Sequence, residues 1–340
     1  MVAPVAQSVP PARSGSVETV TALLTSGLVA RGHHVTLFAT GTSTTPATLQ
    51  STLERGYHDD TSLWPWELCE LFNLAAAVER SDDFDVIHYQ AEYAPIALPF
   101  SRLTAVPILQ TVHHAPSPEE VRLWSRYPAA PFVAVSHAQA TMLTGLRVAA
   151  TIHHAIDPTP LTFQPISDDY LLFLGRFTPG KGVLESIEVA RRTGRRLLLA
   201  AAENDYFREV VAPHVDGQRI VYAGEVDPAG KASLLGGARA LIYPVQTAES
   251  FGLVLAEAMT CGTPVAALDQ GAVSELVDDG VTGHVSVSLD ALIARLPDVE
   301  QLDRRAVRRR ALERFGVDRM VESHVEVYAR LAAEARSGTP

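Results

Sequence analysis

Two glutamates, Glu249 and Glu257, stand eight residues apart in ESFGLVLAEAMTCG (249–262), an otherwise small and apolar run with a Phe-Gly pair just after the first. A carboxylate accepts two hydroxyl hydrogens at once, which suits the diols of sugar and ribose rings. A helix that starts near Phe251 or Gly252 leaves Glu249 in the loop before it and puts Glu257 about two turns on, nearly on the side of its first residues. Both carboxylates can then face one elongated ligand; if Glu257 takes a ribose and Glu249 a hexose, the helix's free N–H groups fall near the phosphates between them. A helix that merely carries two glutamates is the plainer alternative; the apolar neighbours of Glu257 weigh against it.

The second constellation is GRFTPGKG (175–182), directly after a strand and before a helix. Its glycines permit close backbone approach, the helix start directs N–H groups and a positive dipole end outward, and Arg176 and Lys181 add two cations. A diphosphate fits that description, and a surface turn with two solvated cations is the alternative. The loop is not a Walker A motif, because Gly182 stands where Ser or Thr is required. Lys181 and Lys231 are the only lysines in a chain rich in arginine. Lys231 reads equally well as a surface residue, in a helical surface segment.

Six of the twelve histidines stand in three adjacent pairs, His33 with His34, His113 with His114 and His153 with His154. Neighbours on an extended strand point to opposite faces, so no pair readily offers two ligands to one metal. No metal and no cofactor are expected. His113 differs because it directly follows a strand, which aims it at the ligand side of an open sheet; a core or linker role is its alternative.

These groups need elements to place them. Short apolar runs alternate with amphipathic stretches, as in a parallel sheet covered by helices. Strands are expected at 34–39, 85–89, 106–112 and 132–136, and after a Pro-rich linker at 153–168 again at 170–175, 196–202, 219–224, 240–245 and 264–268. The stretch from 300 to 335 reads as helical, with Val317, Val321, Tyr328 and Leu331 on one stripe. RRAVRRR (304–310) before it reads as a solvated helix face. A length of 340 residues favours two domains.

With 47% apolar residues the chain is globular. No apolar run is long enough to span a bilayer and no export signal is visible, so the cytoplasm is the expected compartment. A formal charge of −11 argues against general binding to nucleic acid or anionic membranes. Two cysteines, Cys69 and Cys261, make neither a disulfide framework nor a CxxC metal motif.

Together these segments resemble glycosyltransferase family 4, retaining sugar transferases of GT-B fold. The resemblance runs through PPARSGSVE (10–18), RGHHVTLFATGTS (31–43), FDVIH (84–88), VPILQTVHH (106–114), AVSHAQA (134–140), GRFTPGKG, ESFGLVLAE and CGTPVAALDQGAVSELVDDGVTG (261–283). It implies an α/β architecture of two Rossmann-like doubly wound domains facing a central cleft: 1–160 on the acceptor side, 161–316 binding the nucleotide sugar, and a helix at 317–340 crossing back to brace the first. It also implies that Arg176 and Lys181 neutralise the donor diphosphate and that Glu257 holds the ribose. Glu249, with Ser250 and the backbone of Phe251, Gly252 and Leu253, then binds sugar hydroxyls and phosphate. His113 sits by the reacting sugar, Gly15 with Ser16 closes over the phosphates, and Glu225 with Val226 meets the base. Where such chains carry several more residues of their first strand, this one begins MVAPV, so a short first strand is expected.

The activity implied is transfer from a UDP- or GDP-sugar to an acceptor hydroxyl, of a secondary metabolite or a glycoconjugate, without metal. A sugar-nucleotide epimerase and a non-catalytic nucleotide-sugar sensor share the same donor chemistry and stay open. Trp64 and Trp66 are candidates for stacking on an acceptor, with core packing as the alternative.

Overall fold

The computed structural model describes residues 1–13, 15–90 and 95–337. The chain divides into two compact units, Met1–Ala155 together with the chain from Val317 on, and Ile156–Gly316.

In the first unit the strands are β1 (Thr36–Phe38), β2 (Thr48–Gln50), β3 (Ile87–Tyr89), β4 (Ile108–Thr111), β5 (Pro131–Ala134) and β6 (Arg147–Thr151), with helices α1 (Ser16–Ala30), α2 (Trp66–Val78), α3 (Pro118–Trp124) and α4 (His137–Met142). All strand pairings are parallel. The N-terminal segment runs between β1 and β3 and is reduced to one residue of ladder, Val2, which bridges Phe38 on one side and Tyr89 on the other. Val2 N–H donates to His88 O at 2.8 Å and Gln90 N–H donates to Val2 O at 2.9 Å. Val2, Phe38, Leu74, Ile87, Tyr89 and Ile108 bury one another in this sheet's core.

The second unit contains β7 (Leu171–Leu174), α5 (Val183–Thr193), β8 (Leu197–Ala200), β9 (Ile220–Gly224), α6 (Pro228–Gly237), β10 (Ala240–Tyr243), α7 (Leu253–Thr260), β11 (Val265–Leu268), α8 (Val273–Leu276), β12 (Gly283–Ser286), α9 (Leu289–Val299) and α10 (Arg304–Arg314). Its six parallel strands lie in the order β12-β11-β10-β7-β8-β9. Leu171, Phe173, Val183, Ile187, Leu292 and Leu296 belong to one buried cluster that joins β7, α5 and α9. From β7 the chain winds outward through β8 and β9, then returns to β10 on the other side of β7. The order therefore reverses between β7 and β10, the position at which open α/β sheets take ligands beyond the strands' carboxyl ends.

The stretch read as helical from 300 to 335 holds two helices. The stretch breaks at Phe315 and Gly316 into α10 and α11 (Val317–Ser337), and α11 belongs to the first unit. Met320, Val321, His324, Val327 and Leu331 form its buried stripe. Arg31, just past α1, donates to Asp318 at 2.6 Å.

The reading of RRAVRRR as a solvated face holds for the exposed Arg305, Arg309 and Arg310 and is corrected for Arg304 and Arg308. Arg304 donates to the carbonyls of Gly236 and Ala238 at the end of α6, Arg308 to Thr260 O at the end of α7 at 2.5 Å, and Arg314 to Glu275 O and Leu276 O at the end of α8. Each guanidinium takes up carbonyls that a helix leaves unpaired, at the end where a cation is favoured. These arginines clamp α10 to the unit.

Candidate functional site

The loops that follow β7 and β10 interlock at the reversal of strand order. Gln246 N–H donates to Gly180 O at 2.9 Å. Gly182 adopts φ 74°, and a methyl group there would lie 2.0 Å from Pro244 O. Only glycine fits, because the neighbouring loop fills the space where a side chain would project. The glycine was expected to admit a ligand; its first duty is to admit the other loop.

This interlock brings Lys181 and Glu249 together. Lys181 Nζ donates to Glu249 Oε2 at 2.5 Å, and the hydroxyl of Tyr243, the last residue of β10, donates to the same oxygen. Both members of the ion pair are largely buried, with side chains 27% and 14% exposed. Burial, and then the adjoining carboxylate, push the Tyr243 phenol well above its ordinary range, so it stays a donor. Lys181 Nζ also lies 6.0 Å from the centre of the Tyr243 ring.

Two helix N-termini begin at this point. α5 is preceded by Gly182 and α7 by Gly252, both left-handed and neither with a side chain capping the helix. The first N–H groups of each helix, from Val183 and from Leu253, are the groups that a helix cannot satisfy internally. Ser250 and Phe251 are buried in the loop before α7, where the Phe251 ring meets Phe315 edge-on at 6.0 Å.

α7 starts at Leu253, one residue past the expected Gly252, so Glu257 lies about one turn into it. Its Oε1 accepts from Lys231 Nζ of α6 at 2.6 Å. Lys231 thus sits at the surface, 34% exposed, with its ammonium paired rather than free. Both lysines of the chain are held by a glutamate of the E-x7-E pair. Beside them the Cys261 thiol is pushed up to about 12, by burial and then by Glu257, so it stays protonated.

Other expected residues stand apart from this cluster. Arg176 is exposed and makes no ion pair among the described residues. Glu225 is exposed and Val226 half-buried after β9, at the sheet edge two strands from β7. In the first unit, Gly15 is the residue before α1 and Ser16 its exposed first residue. His113 follows β4; its Nε2 lies 2.8 Å from Gln90 Oε1 and its ring stacks on His154 at 5.2 Å. Burial, and then His114 and His324, push the His113 imidazole down to about 3, so it is neutral at ordinary pH. Among the described residues no cluster of His, Cys, Asp and Glu is arranged to hold a metal ion, and no helix is long and apolar enough to cross a membrane.

Tyr243 and Lys231 were missed from sequence. Tyr243 ends an apolar strand and reads as core, and Lys231 reaches Glu257 only through the packing of α6 beside α7. The rarity of lysine was the one available signal.

Comparison with known proteins accounts for most of the chain. Residues 17–160 match the family described as Glycosyltransferase Family 4, and residues 164–312 match Glycosyl transferases group 1. The phosphatidyl-myo-inositol mannosyltransferase of Mycobacterium leprae (strain TN) is 29% identical over 63% of this chain and 64% of its own length. That of Propionibacterium freudenreichii subsp. shermanii is 30% identical over 68% of this chain and 66% of its own. The chain thus spans slightly less than two thirds of these curated relatives. Among solved structures, AviGT4, a glycosyltransferase involved in avilamycin A biosynthesis, is 25% identical with a TM-score of 0.73, over 98% of this chain and 97% of that one. Anabaena HepE, solved in complex with UDP, shares the fold at 17% identity and a TM-score of 0.73, over 94% of this chain and 97% of that one. Both units are thus Rossmann-like α/β domains of the GT-B type.

Proposed function

We propose that this chain, built of a Glycosyltransferase Family 4 domain followed by a Glycosyl transferases group 1 domain, moves a sugar from a nucleoside diphosphate sugar to an acceptor hydroxyl, with retention at the anomeric carbon and without a metal. The observation that carries the reading is the Lys181–Glu249–Tyr243 cluster, set between two uncapped helix N-termini where the strand order reverses. A diphosphate draws on Lys181, the helix N–H groups and Arg176, whose exposed side chain is unspent. Glu249 takes sugar hydroxyls, and Glu257 the ribose. Glu225 and Val226 meet the base, while His113, Gly15 and Ser16 keep the roles the resemblance gives them.

The arrangement of Glu249 bears on the mechanism. A covalent double displacement needs a carboxylate free to attack the anomeric carbon, but Glu249 Oε2 already holds two donors, which withdraw charge from it. The reading favours reaction on one face, in which the departing diphosphate takes the acceptor proton and fixed positive groups stabilise the charge that develops on it. The donor is a UDP- or GDP-sugar and the acceptor a hydroxyl of a natural product or glycoconjugate.

The test is thermal unfolding of the full chain with UDP, GDP, ADP and dTDP, followed by incubation of the stabilising nucleotide's sugars with hydroxyl acceptors and assignment of the product anomer by NMR. One nucleotide should raise the midpoint, and the product should keep the donor's configuration. Stabilisation by none of them would remove the reading.

A further inference from the structure

A polar chain, buried at His88 and Gln90 and half-buried at its two ends, leads from Tyr328 of α11 to His113. Tyr328 OH lies 2.6 Å from His88 Nδ1, and Thr111 Oγ1 lies 2.7 Å from His88 Nε2. The Gln90 amide nitrogen faces the His88 ring, 3.2 Å from Nε2 and 3.4 Å from Nδ1, and its amide oxygen faces His113 Nε2 at 2.8 Å. Gln90 is 1% exposed and His88 2% exposed, so neither has water to exchange partners with.

An amide oxygen only accepts, so the nitrogen opposite it must carry the hydrogen. Hydroxyls flank His88 on both sides and adapt to either of its tautomers, so the orientation of the Gln90 amide is what decides the tautomer of His113. With the amide nitrogen turned to His88, the amide oxygen is fixed on His113. The other ring nitrogen of His113, Nδ1, makes no hydrogen bond among the described residues.

We infer that Gln90 is a positioning residue that holds His113 as the Nε2–H tautomer and leaves Nδ1 as a hydrogen-bond acceptor, for a hydroxyl of the transferring sugar. The hydroxyl half of this inference rests on the glycosyl-transfer reading above; the tautomer half does not. The stacked His154 ring fixes the plane of His113 while Gln90 fixes its rotation, so the two together define where Nδ1 points. Tyr328 anchors the far end of the chain through His88, which gives α11 a part in placing a residue of β4's exit loop.

The experiment uses the full chain labelled with ¹⁵N-histidine. Two-bond proton–nitrogen correlation spectra distinguish the tautomers, and His113→Asn identifies the His113 signals. Wild type should show Nε2–H. Gln90→Leu, close in shape and without an acceptor, should shift His113 toward mixed tautomers, and Gln90→Glu, which restores an acceptor, should return Nε2–H. In turnover, Gln90→Leu should lower kcat about tenfold and leave KM for the donor within about twofold, the size of one neutral hydrogen bond. An Nδ1–H signal in wild type, or a tautomer unmoved in Gln90→Leu, overturns the inference. Should Gln90→Leu fail to fold, the wild-type tautomer still decides. If no sugar nucleotide is turned over by wild type, the glycosyl-transfer reading falls, while the spectra still decide the role of Gln90.

Discussion

Lys181 and Glu249 are 68 residues apart in sequence, yet their charged groups meet at 2.5 Å across two interlocked loops. The cation expected to meet a diphosphate and the carboxylate expected to meet a sugar neutralise each other in the free protein. On the proposed function a diphosphate would compete with Glu249 for Lys181, so the two residues should be coupled. Glu249→Gln releases Lys181: kcat should fall roughly 10- to 100-fold through the lost charge-assisted hydrogen bond, while nucleotide affinity holds or improves. Lys181→Ala leaves an unpaired carboxylate beside the phosphates and should weaken nucleotide binding roughly 100-fold. The double variant should recover part of that loss. Calorimetry on all four proteins checks this, and strictly additive effects would mean that the pair is not shared with the ligand.

Lys231 and Glu257 make a parallel case. With Oε1 of Glu257 held by Lys231 at 2.6 Å, the ribose contact proposed for Glu257 would fall on its other oxygen. Wild type should therefore prefer a ribonucleoside diphosphate over its 2′,3′-dideoxy form by about tenfold, near the lower end for a hydrogen bond to a charged group. Lys231→Met frees the carboxylate to rotate and should reduce that preference, while Glu257→Gln should lower it further. Equal affinities of wild type for both nucleotides, measured by competition, would take Glu257 off the ribose.

How much of this was legible in the sequence follows from what each residue type announces. Strands buried on both faces, such as LLFL in β7 and ALIY in β10, show as apolar runs because nothing polar is tolerated there. TLQ in β2, RVAAT in β6 and GHVS in β12 were not expected; the first two are only partly buried, and none reads as a continuous apolar run. Glu249 and Glu257 stood out because carboxylates amid small apolar residues need a reason. Their partners did not, since Tyr243 and Lys231 meet them only through the register of neighbouring loops and helices. Arg304, Arg308 and Arg314 were hidden for a related reason: a carbonyl at a helix end has no sequence signature, so a clamped arginine and a solvated one look alike.

The arginine clamps can be weighed by mutation. Arg308 Nη1 donates to Thr260 O at 2.5 Å and to Leu161 O at 3.2 Å, and the guanidinium lies 5.8 Å from the centre of the Phe163 ring. Arg308→Ala removes a charged donor from two carbonyls and should cost about 1 to 3 kcal/mol. Arg309, exposed and without a hydrogen bond or ion pair among the described residues, is the control; Arg309→Ala should change stability by less than about 0.5 kcal/mol. Urea unfolding followed by circular dichroism compares the two. Equal, small effects would return the cluster to the solvated face that the sequence suggested.

Acid should attack the first unit through its histidines. His88, His154 and His324 are buried there and His113 nearly so, and burial depresses all four: His113 to about 3, His324 to about 4, and His88 and His154 well below their ordinary range. In the unfolded chain each titrates near 6.5. Above that pH both states are neutral and these groups leave stability unchanged. As pH falls through 6.5 the unfolded chain takes up protons that the folded unit refuses, so stability is lost progressively toward the folded values. Each histidine removes up to about 1.4 kcal/mol per pH unit over that window, less where protonation of one suppresses the next. All three tryptophans, Trp64, Trp66 and Trp124, lie in this unit, so their fluorescence reports on it alone. The urea midpoint read by tryptophan emission should be flat from pH 8 to about 7 and fall steeply between about 6.5 and 4. Replacing His324 with Phe, which removes one titrating group from the cluster, should make that fall shallower. A midpoint that stays level down to pH 5 would mean that water or a charge partner reaches these rings, and that the polar chain from Tyr328 to His113 is not closed to solvent.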